Sequence, residues 1–183
     1  LARRIVGLTS QYVVGGGISA GSPHAATAAF MRSFWEHPLN RMAVRAYEWC
    51  DELTRSGNLF LLLTTDAAGM SYVRAVPAAQ VKRIVARTND LEQETEFEMQ
   101  PNWQEGKPCR WPAYDARSDA PGVNGEFKPV MLHYAINRPV GAQWGESDLA
   151  PVLRWLSRYA AWLEDRARLN RFRTAFLYIV HAK

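Results

Sequence analysis

Near the carboxyl end of the chain, apolar residues recur every three or four positions, which is the spacing of one face of an α-helix. One row, which we call the leucine seam, consists of Leu149, Leu153, Leu156, Ala160, Leu163, Ala167 and Asn170. A second row, the aromatic seam, consists of Trp155, Tyr159, Trp162, Leu169 and Phe176. Ser147 or Asp148 is the expected N-cap, and Pro151 fits the first turn. The pattern predicts a helix over residues 148–176, roughly 40 Å long.

The breadth of the apolar surface leaves two interpretations of this helix open. It is either buried in one domain or packed between neighbouring subunits, where Trp, Tyr and Arg are frequent anchors. The candidates for a subunit interface are Leu149, Leu153, Trp155, Leu156, Tyr159, Trp162 and Leu163. The rest of the helix surface is a narrower polar strip with Arg154, Arg158, Asp165, Arg168 and Arg171.

Upstream of this helix, the pattern predicts two shorter helices and a small β region. Residues 1–22 contain a run of three glycines and predict a flexible loop. Residues 25–35 and 38–56 predict helices, the second starting at Pro38 and ending at Gly57 as a left-handed C-cap. Short apolar runs bounded by turn residues predict strands over residues 58–65, 72–76, 81–86, 94–99 and 130–136. The predicted fold class is α+β, with long helices flanking a small inserted sheet.

Two features of the β region are candidate docking surfaces. Glu94, Glu96 and Glu98 alternate with other residues along one strand, which predicts three carboxylates on a single solvated face. Residues 101–129 are rich in Pro, Gly and Asp, which predicts a long and mostly irregular excursion. Trp103 and Trp111 stand alone in this excursion, and isolated tryptophans favour contact with a partner.

The composition indicates a folded chain. It has 183 residues, of which 48% are hydrophobic and seven are Trp, and this argues against disorder. No apolar run is long enough for a membrane span and no secretory signal opens the chain, so we expect a soluble, unsecreted protein. Because the chain begins at Leu1 without a methionine and stops just after an apolar run, we expect a fragment of a longer protein.

Charge and reactive side chains add little specific chemistry. Residues 1–57 carry six basic and four acidic side chains (+2), residues 58–146 nine and eleven (−2), and residues 147–183 seven and three (+4). This falls short of the dense basic surface of a sequence-specific DNA binder. The two cysteines and four histidines are scattered without ligand spacing. No catalytic, cofactor-binding or metal-binding residue is predicted.

The order of three short motifs resembles the portal proteins of tailed bacteriophages. A helix ends in Gly57-Asn58-Leu59-Phe60, and a later strand ends in His133-Tyr134-Ala135-Ile136-Asn137-Arg138-Pro139. The long helix then opens with Trp-Gly-Glu-Ser-Asp-Leu, residues 144–149. In that family, a Gly-Asn helix end leads into the strands of the clip, a His-containing strand closes it, and a Gly-x-Ser turn begins the next stem helix. The resemblance covers the chain from about residue 38 onward and lies in order and spacing.

The resemblance implies an organisation, a function and a set of partners. Residues 1–37 would belong to the wing, residues 38–57 to the first stem helix, residues 58–146 to the clip and residues 147–183 to the second stem helix. The family forms a ring, usually of twelve subunits, through which double-stranded DNA passes at a capsid vertex of the virion. Its partners are the large terminase subunit, the head-tail connector proteins, and the capsid and scaffold proteins, assembled in the bacterial cytoplasm. No membrane, cofactor or enzymatic activity is expected.

Within that resemblance, Arg154, Arg158, Arg168 and Arg171 are candidates to line the DNA channel, or else to pair with acidic residues of a neighbouring helix. Glu94, Glu96, Glu98, Trp103 and Trp111 are the candidates for docking of the motor or connector. Two other functions remain open. One is a nucleic-acid-binding adaptor in which Trp103 and Trp111 stack on bases. The other is a hydrolase that uses His133 with Asp115 or Glu126, although no nucleophile, base and orienting group occur together.

Overall fold

A computed structural model describes residues 1–101, 109–117, 121–122 and 127–175. Within these residues the chain forms four α-helices: α1 (Ala2–Val14), α2 (Ala25–Glu36), α3 (Met42–Ser56) and α4 (Ala150–Ala175). It also forms six strands: β1 (Asn58–Thr65), β2 (Ser71–Val76), β3 (Val81–Arg87), β4 (Asp90–Met99), β5 (Arg110–Pro112) and β6 (Val130–Ala135). A single 3₁₀ turn, Ala78–Gln80, links β2 to β3. The prediction of an α+β class is confirmed.

The strands form two antiparallel sheets of three strands each. Sheet A has the order β2-β1-β6, and sheet B has the order β3-β4-β5. In sheet A, the register pairs Phe60 of β1 with Val76 on one side and His133 on the other. An isolated parallel bridge between Ala113, just after β5, and Met131 of β6 connects the two sheets.

The central strand β1 is buried on both faces, which explains its continuous apolar run. Phe60 faces the core shared with sheet B, where Ile84, Phe97 and Met131 are also buried. Leu59 and Leu61 belong to a second cluster, which contains Met42 and Val73 and is covered by Phe34, Trp35, Trp49 and Leu53 of the helices. The sheets and the first three helices are therefore held together through β1.

The amino-terminal prediction was wrong, because residues 2–14 form a packed helix instead of a loop. Val6, Ser10 and Val14 are buried as α1 packs on α3, and the Ser10 hydroxyl donates a hydrogen bond to Asp51. The run of glycines follows the helix and ends it. Packing on α3 outweighs the weak helical propensity of the β-branched residues and Gly7 in this segment.

The start of α3 also differs from the prediction, since the helix begins at Met42 and not at Pro38. Asn40 is fully buried, and its side-chain nitrogen donates to the carbonyls of Phe34 at 3.1 Å and Ser71 at 3.0 Å. Arg41 then takes a left-handed conformation, with φ of 48°, before the helix starts. These bonds hold residues 38–41 in a turn that joins α2, α3 and sheet A.

One short strand lies within the predicted excursion over residues 101–129, of which residues 101, 109–117, 121–122 and 127–129 are described. Arg110–Pro112 forms the edge strand of sheet B, and its register pairs Trp111 with Phe97. Trp111 is half-buried against the core between the sheets. Trp103 and Glu126 lie outside the described residues.

Candidate functional site at the start of the last helix

Three separate stretches of the chain meet where α4 begins. They are the connection between α3 and β1 at Gly57 and Asn58, the end of β6 from His133 to Asn137, and residues 144–149, which we call the lead-in. We call their meeting point the junction. These are the three stretches on which the predicted resemblance to portal proteins rests, and that resemblance stays a prediction.

The junction is built on a close approach of backbone segments at two glycines. Gly57 caps α3 with a φ of 77°, and its carbonyl accepts a hydrogen bond from the Ile136 amide at 2.9 Å. The Ile136 carbonyl in turn accepts one from the Glu146 amide at 3.0 Å. A Cβ at Gly57 would lie 2.4 Å from the Glu146 carbonyl carbon, and a Cβ at Gly145 would lie 2.2 Å from the Gly57 carbonyl oxygen. Both positions therefore require glycine.

The side-chain amide of Asn58 joins the three stretches. Its nitrogen donates to the carbonyls of Ser56 at 2.9 Å and Gly145 at 3.0 Å. Its oxygen accepts from the Gly145 amide at 2.8 Å and lies 3.2 Å from Nε2 of His133. Because both amide hydrogens and the oxygen are engaged, this buried side chain fixes the lead-in against β1.

Further polar contacts tie the lead-in to the ends of α3 and β6. The Ser147 hydroxyl donates to the Thr54 carbonyl at 2.9 Å, and the Asp148 amide donates to the same oxygen at 3.2 Å. Asn137, with a left-handed φ of 51°, donates from its side chain to the Glu146 carbonyl at 3.1 Å and to the Asp148 carboxylate at 2.6 Å. The direction in which α4 leaves the junction is set by these bonds.

α4 begins slightly later than predicted, at Ala150, so neither predicted residue is its N-cap. The Ser147 hydroxyl accepts from the Leu149 amide at 3.0 Å, outside the helix, and the Asp148 carboxylate is used by Asn137. Leu149 is 7% exposed, which leaves this candidate interface residue little surface for a neighbouring subunit.

Beneath the lead-in, His133 is buried against aromatic rings and paired with a carboxylate. Its ring stacks on Phe60 with a centroid distance of 4.3 Å and an interplanar angle of 5°. Trp144 covers the same phenyl ring edge-on at 5.6 Å. Nδ1 of His133 lies 2.7 Å from Oε1 of Glu94, and the two side chains are 1% and 14% exposed. No local pattern predicts this pair, because the two residues are 39 positions apart.

A bulge in β4 separates the carboxylates that were predicted to share one face. Val85 and Ala86 are adjacent in β3, but they pair with Glu96 and Glu94, so Thr95 is an extra residue in β4. The extra residue reverses the face on which Glu94 lies, and its carboxylate meets a buried ring instead of solvent. The prediction of three carboxylates on one solvated face is therefore wrong.

The other two carboxylates form ion pairs across sheet B. Glu96 lies 3.3 Å from the guanidinium of Arg110, and Glu98 lies 3.0 Å from the ammonium of Lys82. The hydrogen bond from Lys82 is the main reason that the pKa of Glu98 lies below its ordinary value. A partner that docks on this face meets paired charges and not an acidic patch. Of the tryptophan docking candidates, Trp111 is engaged by the core and Trp103 is not among the described residues.

Beyond its first turn, α4 is almost entirely exposed. Trp155 and Trp162 of the aromatic seam are 66% and 53% exposed, and Leu153 of the leucine seam is 54% exposed. Between residues 151 and 174, Leu156 alone is partly buried. The helix packs extensively against no other helix or strand of the described residues. The interface candidates other than Leu149 therefore lie on a helix whose apolar surface the described chain leaves open.

The four candidate DNA-channel arginines are spread along α4 and do not converge. Arg158 lies 5.4 Å from the ring centre of Trp155, in a cation–π contact with the aromatic seam. Arg168 forms an ion pair with Glu164 one turn away, at 2.6 Å. Arg154 and Arg171 are exposed on the polar strip. The arrangement offers several separate positive charges along the helix.

A cleft of about 470 Å³ opens between β4, β6 and the loop after β5. Its lining includes Glu92, Tyr114, Asp115 and His133. The hydrolase hypothesis needs a free His133 ring, but Nδ1 faces Glu94 and Nε2 faces Asn58. The geometry therefore does not favour His133 as the base of such a site.

Across residues 1–101, 109–117, 121–122 and 127–175, no three His, Cys, Asp or Glu side chains are grouped so that they could hold a metal ion. In that part of the chain, none of the helices combines the length and the apolar character needed to cross a membrane. Cys50 and Cys109 are free thiols. No protein-family model matches the chain, and neither does any curated protein.

Proposed function

We propose that this chain contains the stem and clip of a portal-type protein, a ring-shaped conduit for double-stranded DNA at a capsid vertex. The observation that carries the proposal is the exposure of most of both apolar seams between residues 151 and 174, on a helix that the other described elements hold at its amino-terminal end. The convergence of the three motifs supports it further. Segments that are far apart in the sequence, and that share their order with the portal family, meet at the one place from which α4 projects.

The physical argument for a ring starts from the two seams. At 100° per residue, the aromatic seam lies roughly 125° around the helix from the leucine seam. One neighbouring helix cannot cover both faces, because helix packing buries a single stripe. A head-to-tail arrangement gives every copy two neighbours, and such an arrangement closes into a ring when the rotation permits. Each seam would then face a different neighbour.

The surface of α4 also suits DNA that moves. A duplex that slides must be held through weak, non-specific phosphate contacts, because contacts that read bases would stop it. Two of the four candidate arginines are already engaged, by Trp155 and by Glu164. Arg154 and Arg171 would supply sparse positive charge to a channel wall. The sheets of residues 58–135 would form the clip, which in the portal family meets the terminase motor during packaging and the connector proteins afterwards.

Native mass spectrometry and negative-stain imaging of the full-length protein test this proposal. We expect closed rings with a central channel. Leu153→Asp and Trp162→Asp, one in each seam, are expected to leave monomers or short open arcs, because each buries a charge at one of the two contacts. Ser157→Asp, on the polar side of the same helix, is the matched control and should preserve the rings.

Two outcomes would overturn the proposal. One is an unsubstituted protein that stays monomeric at every concentration and salt level. The other is rings that persist in both seam variants, which would place the subunit contacts away from α4. Quenching of tryptophan fluorescence by single-stranded DNA, with a steep salt dependence, would favour the adaptor hypothesis instead.

A further inference from the structure

Two arginines from different elements converge on the turn that precedes α3. Arg74 of β2 donates from Nη1 to the Leu39 carbonyl at 2.9 Å and to the Val73 carbonyl at 2.7 Å. Arg45 of α3 donates from Nη2 to the same Leu39 oxygen at 3.4 Å and from Nε to the Asn40 carbonyl. Both arginines are half-buried. Because the two guanidinium groups share one acceptor, they lie close together.

No carboxylate of the described residues neutralises these two charges. The ion pairs in that part of the chain involve other side chains, and neither Arg45 nor Arg74 takes part in one. The nearest carboxylates along the chain are Glu36 and Glu48, which are exposed, and Asp66, which accepts hydrogen bonds within its own hairpin. A carbonyl oxygen is an uncharged acceptor, so the two positive charges repel each other without a counter-charge.

Two further features add positive charge at the same place. Arg41 lies one turn before Arg45, is exposed and forms no ion pair with another described residue. The first turn of α3 contains no acidic residue, so the positive end of its backbone dipole is not offset there. We call Arg41, Arg45 and Arg74 the arginine cluster.

The bonds to the carbonyls hold the two half-buried guanidinium groups without using all their donors. A guanidinium group has five N–H donors. Arg45 and Arg74 each use two of them in the bonds given above, so three on each stay open to a further acceptor within the described chain. Since the two side chains are already ordered, binding an anion costs less conformational entropy than it would for two free surface arginines.

We propose that the arginine cluster is a binding site for a phosphate group. Planar guanidinium groups bind phosphate oxygens through paired hydrogen bonds, and a tetrahedral phosphate has enough oxygens for two such groups at once. A carboxylate has only two oxygens, which one guanidinium can occupy. Inorganic phosphate and the backbone of a nucleic acid both present this group, and the two measurements below distinguish them. The site lies within one chain, so the inference does not depend on ring assembly.

Equilibrium dialysis of the full-length protein against radiolabelled inorganic phosphate, at constant ionic strength, is the first test. We expect saturable binding of one phosphate per chain. Arg45→Lys and Arg74→Lys keep the positive charge but lose the paired donors, and each should weaken binding by at least about tenfold. Arg83→Lys, at an exposed position of β3, is the matched control and should bind phosphate like the unsubstituted protein.

Arg41→Gln separates a loss of binding from a loss of folding. The Arg41 side chain is exposed and forms no hydrogen bond with another described residue, so its removal should leave unfolding in urea unchanged. Phosphate binding should nevertheless weaken by about threefold, because one nearby positive charge is lost. Arg83→Gln removes the same charge from β3 and should change neither measurement.

Anisotropy of a fluorescently labelled DNA duplex is the second test. If nucleic acid supplies the phosphate, the two lysine variants should lower the affinity for all sequences alike, and Arg41→Gln should reduce the slope of log affinity against log salt by about 1. If inorganic phosphate is the ligand, the same variants should lose it but bind the duplex as before. The proposal is overturned when neither ligand distinguishes the lysine variants from the unsubstituted protein.

Discussion

Two glycines and the side chain of one asparagine place α4 more firmly than its own leucines and tryptophans do. Gly57 and Gly145 let two backbone segments approach closely. The side chain of Asn58 forms hydrogen bonds with the carbonyl and the amide of Gly145, and so joins the two segments. Large apolar residues of α4 touch little of the described chain. The direction in which α4 leaves the sheets is thus set by glycines, which lack a Cβ, and by polar residues, which form hydrogen bonds.

Gly57→Ala tests whether glycine at the junction is needed for space as well as for its backbone angle. Gly69→Ala is the matched control, because Gly69 has a similar φ of 84° but nothing within 4 Å of an added Cβ. We expect Gly69→Ala to lower the free energy of unfolding by about 1 kcal/mol, from backbone strain alone. Gly57→Ala should cost at least about 3 kcal/mol, because the new carbon meets backbone atoms of Glu146. Equal losses in urea unfolding would show that the contact with Glu146 is dispensable.

Asp66 provides a prediction about pH in the hairpin between β1 and β2. The hydroxyl of Tyr72 donates to its carboxylate at 2.8 Å, and this bond, followed by the amide of Met70, lowers the pKa of Asp66 below 3.8. Because the folded state favours the ionised form, its stabilising contribution is present above pH 3.8 and is lost as the pH falls through the lowered pKa.

Tyr72→Phe should move the pKa of Asp66 back upward, toward its ordinary value. A carbon-13 NMR titration of the Asp66 carboxyl group measures this shift. Tyr134→Phe, at an exposed position of β6, is the control and should leave the titration of Asp66 unchanged. If Asp66 titrated identically in the Tyr72→Phe and unsubstituted proteins, the backbone amides alone would account for its lowered pKa.

Sequence reasoning at single positions succeeds where the cause is local. Gly57 is recognisable as a helix C-cap because the residues before it are helical and those after it are not. Its second constraint, the contact with Glu146, depends on tertiary structure and has no local signal. The same reason hides the pairing of His133 with Glu94, which also requires a bulge at Thr95 that simple alternation does not reveal.

Strongly periodic or strongly apolar elements were predicted well. The strand over residues 58–65 agrees with the sequence pattern, and α2 and the hairpin after β1 differ by a residue at most. Elements that depend on distant contacts were missed. α1 is helical because it packs on α3, and β5 is a strand because the edge of β4 is available to it. The side-chain hydrogen bonds of the buried Asn40, to the carbonyls of Phe34 and Ser71 and from the Val73 amide, decide where α3 begins, and the preference of Pro38 for helix starts does not.

α4 is the element whose stability depends most on what covers it. Most of the stability of a helix in a protein comes from tertiary packing, and this helix of 26 residues has no substantial packing from the other described elements. Its internal contacts, such as the stack of Tyr159 on Trp162 at 6.0 Å, contribute modestly. Assembly with other copies should therefore suppress local unfolding of α4 more than local unfolding of any strand.

Limited digestion with trypsin tests this expectation, because α4 contains six arginines. At low protein concentration, we expect rapid cleavage within α4, since an uncovered helix opens locally. At concentrations where the protein assembles, cleavage there should slow by at least about tenfold. Leu153→Asp, which is expected to block assembly, should remain rapidly cleaved at both concentrations. Concentration-independent cleavage of the unsubstituted protein would mean that α4 is not covered by another copy.

The net charge of the chain differs in sign between the region of the sheets and the region of α4. Residues 58–146 carry a net charge of −2, while residues 147–183 carry +4. Glu96 and Glu98 of sheet B form ion pairs within the sheet, whereas Arg154 and Arg171 of α4 remain exposed. Long-range attraction for a polyanion therefore comes mainly from the helix, and it should weaken as salt increases.

α4 is about 39 Å long, and among the described residues its hydrogen bonds to the rest of the chain lie at its amino-terminal end. A rotation of only about 5° at the junction would displace its far end by roughly 3 Å, which is more than half the rise of one helical turn. The angle at which Gly57, Asn58 and Gly145 hold the start of α4 therefore determines the position of its other end. The hydrogen bonds at the junction therefore define where the carboxyl-terminal end of α4, which no other described element packs against extensively, can meet another surface.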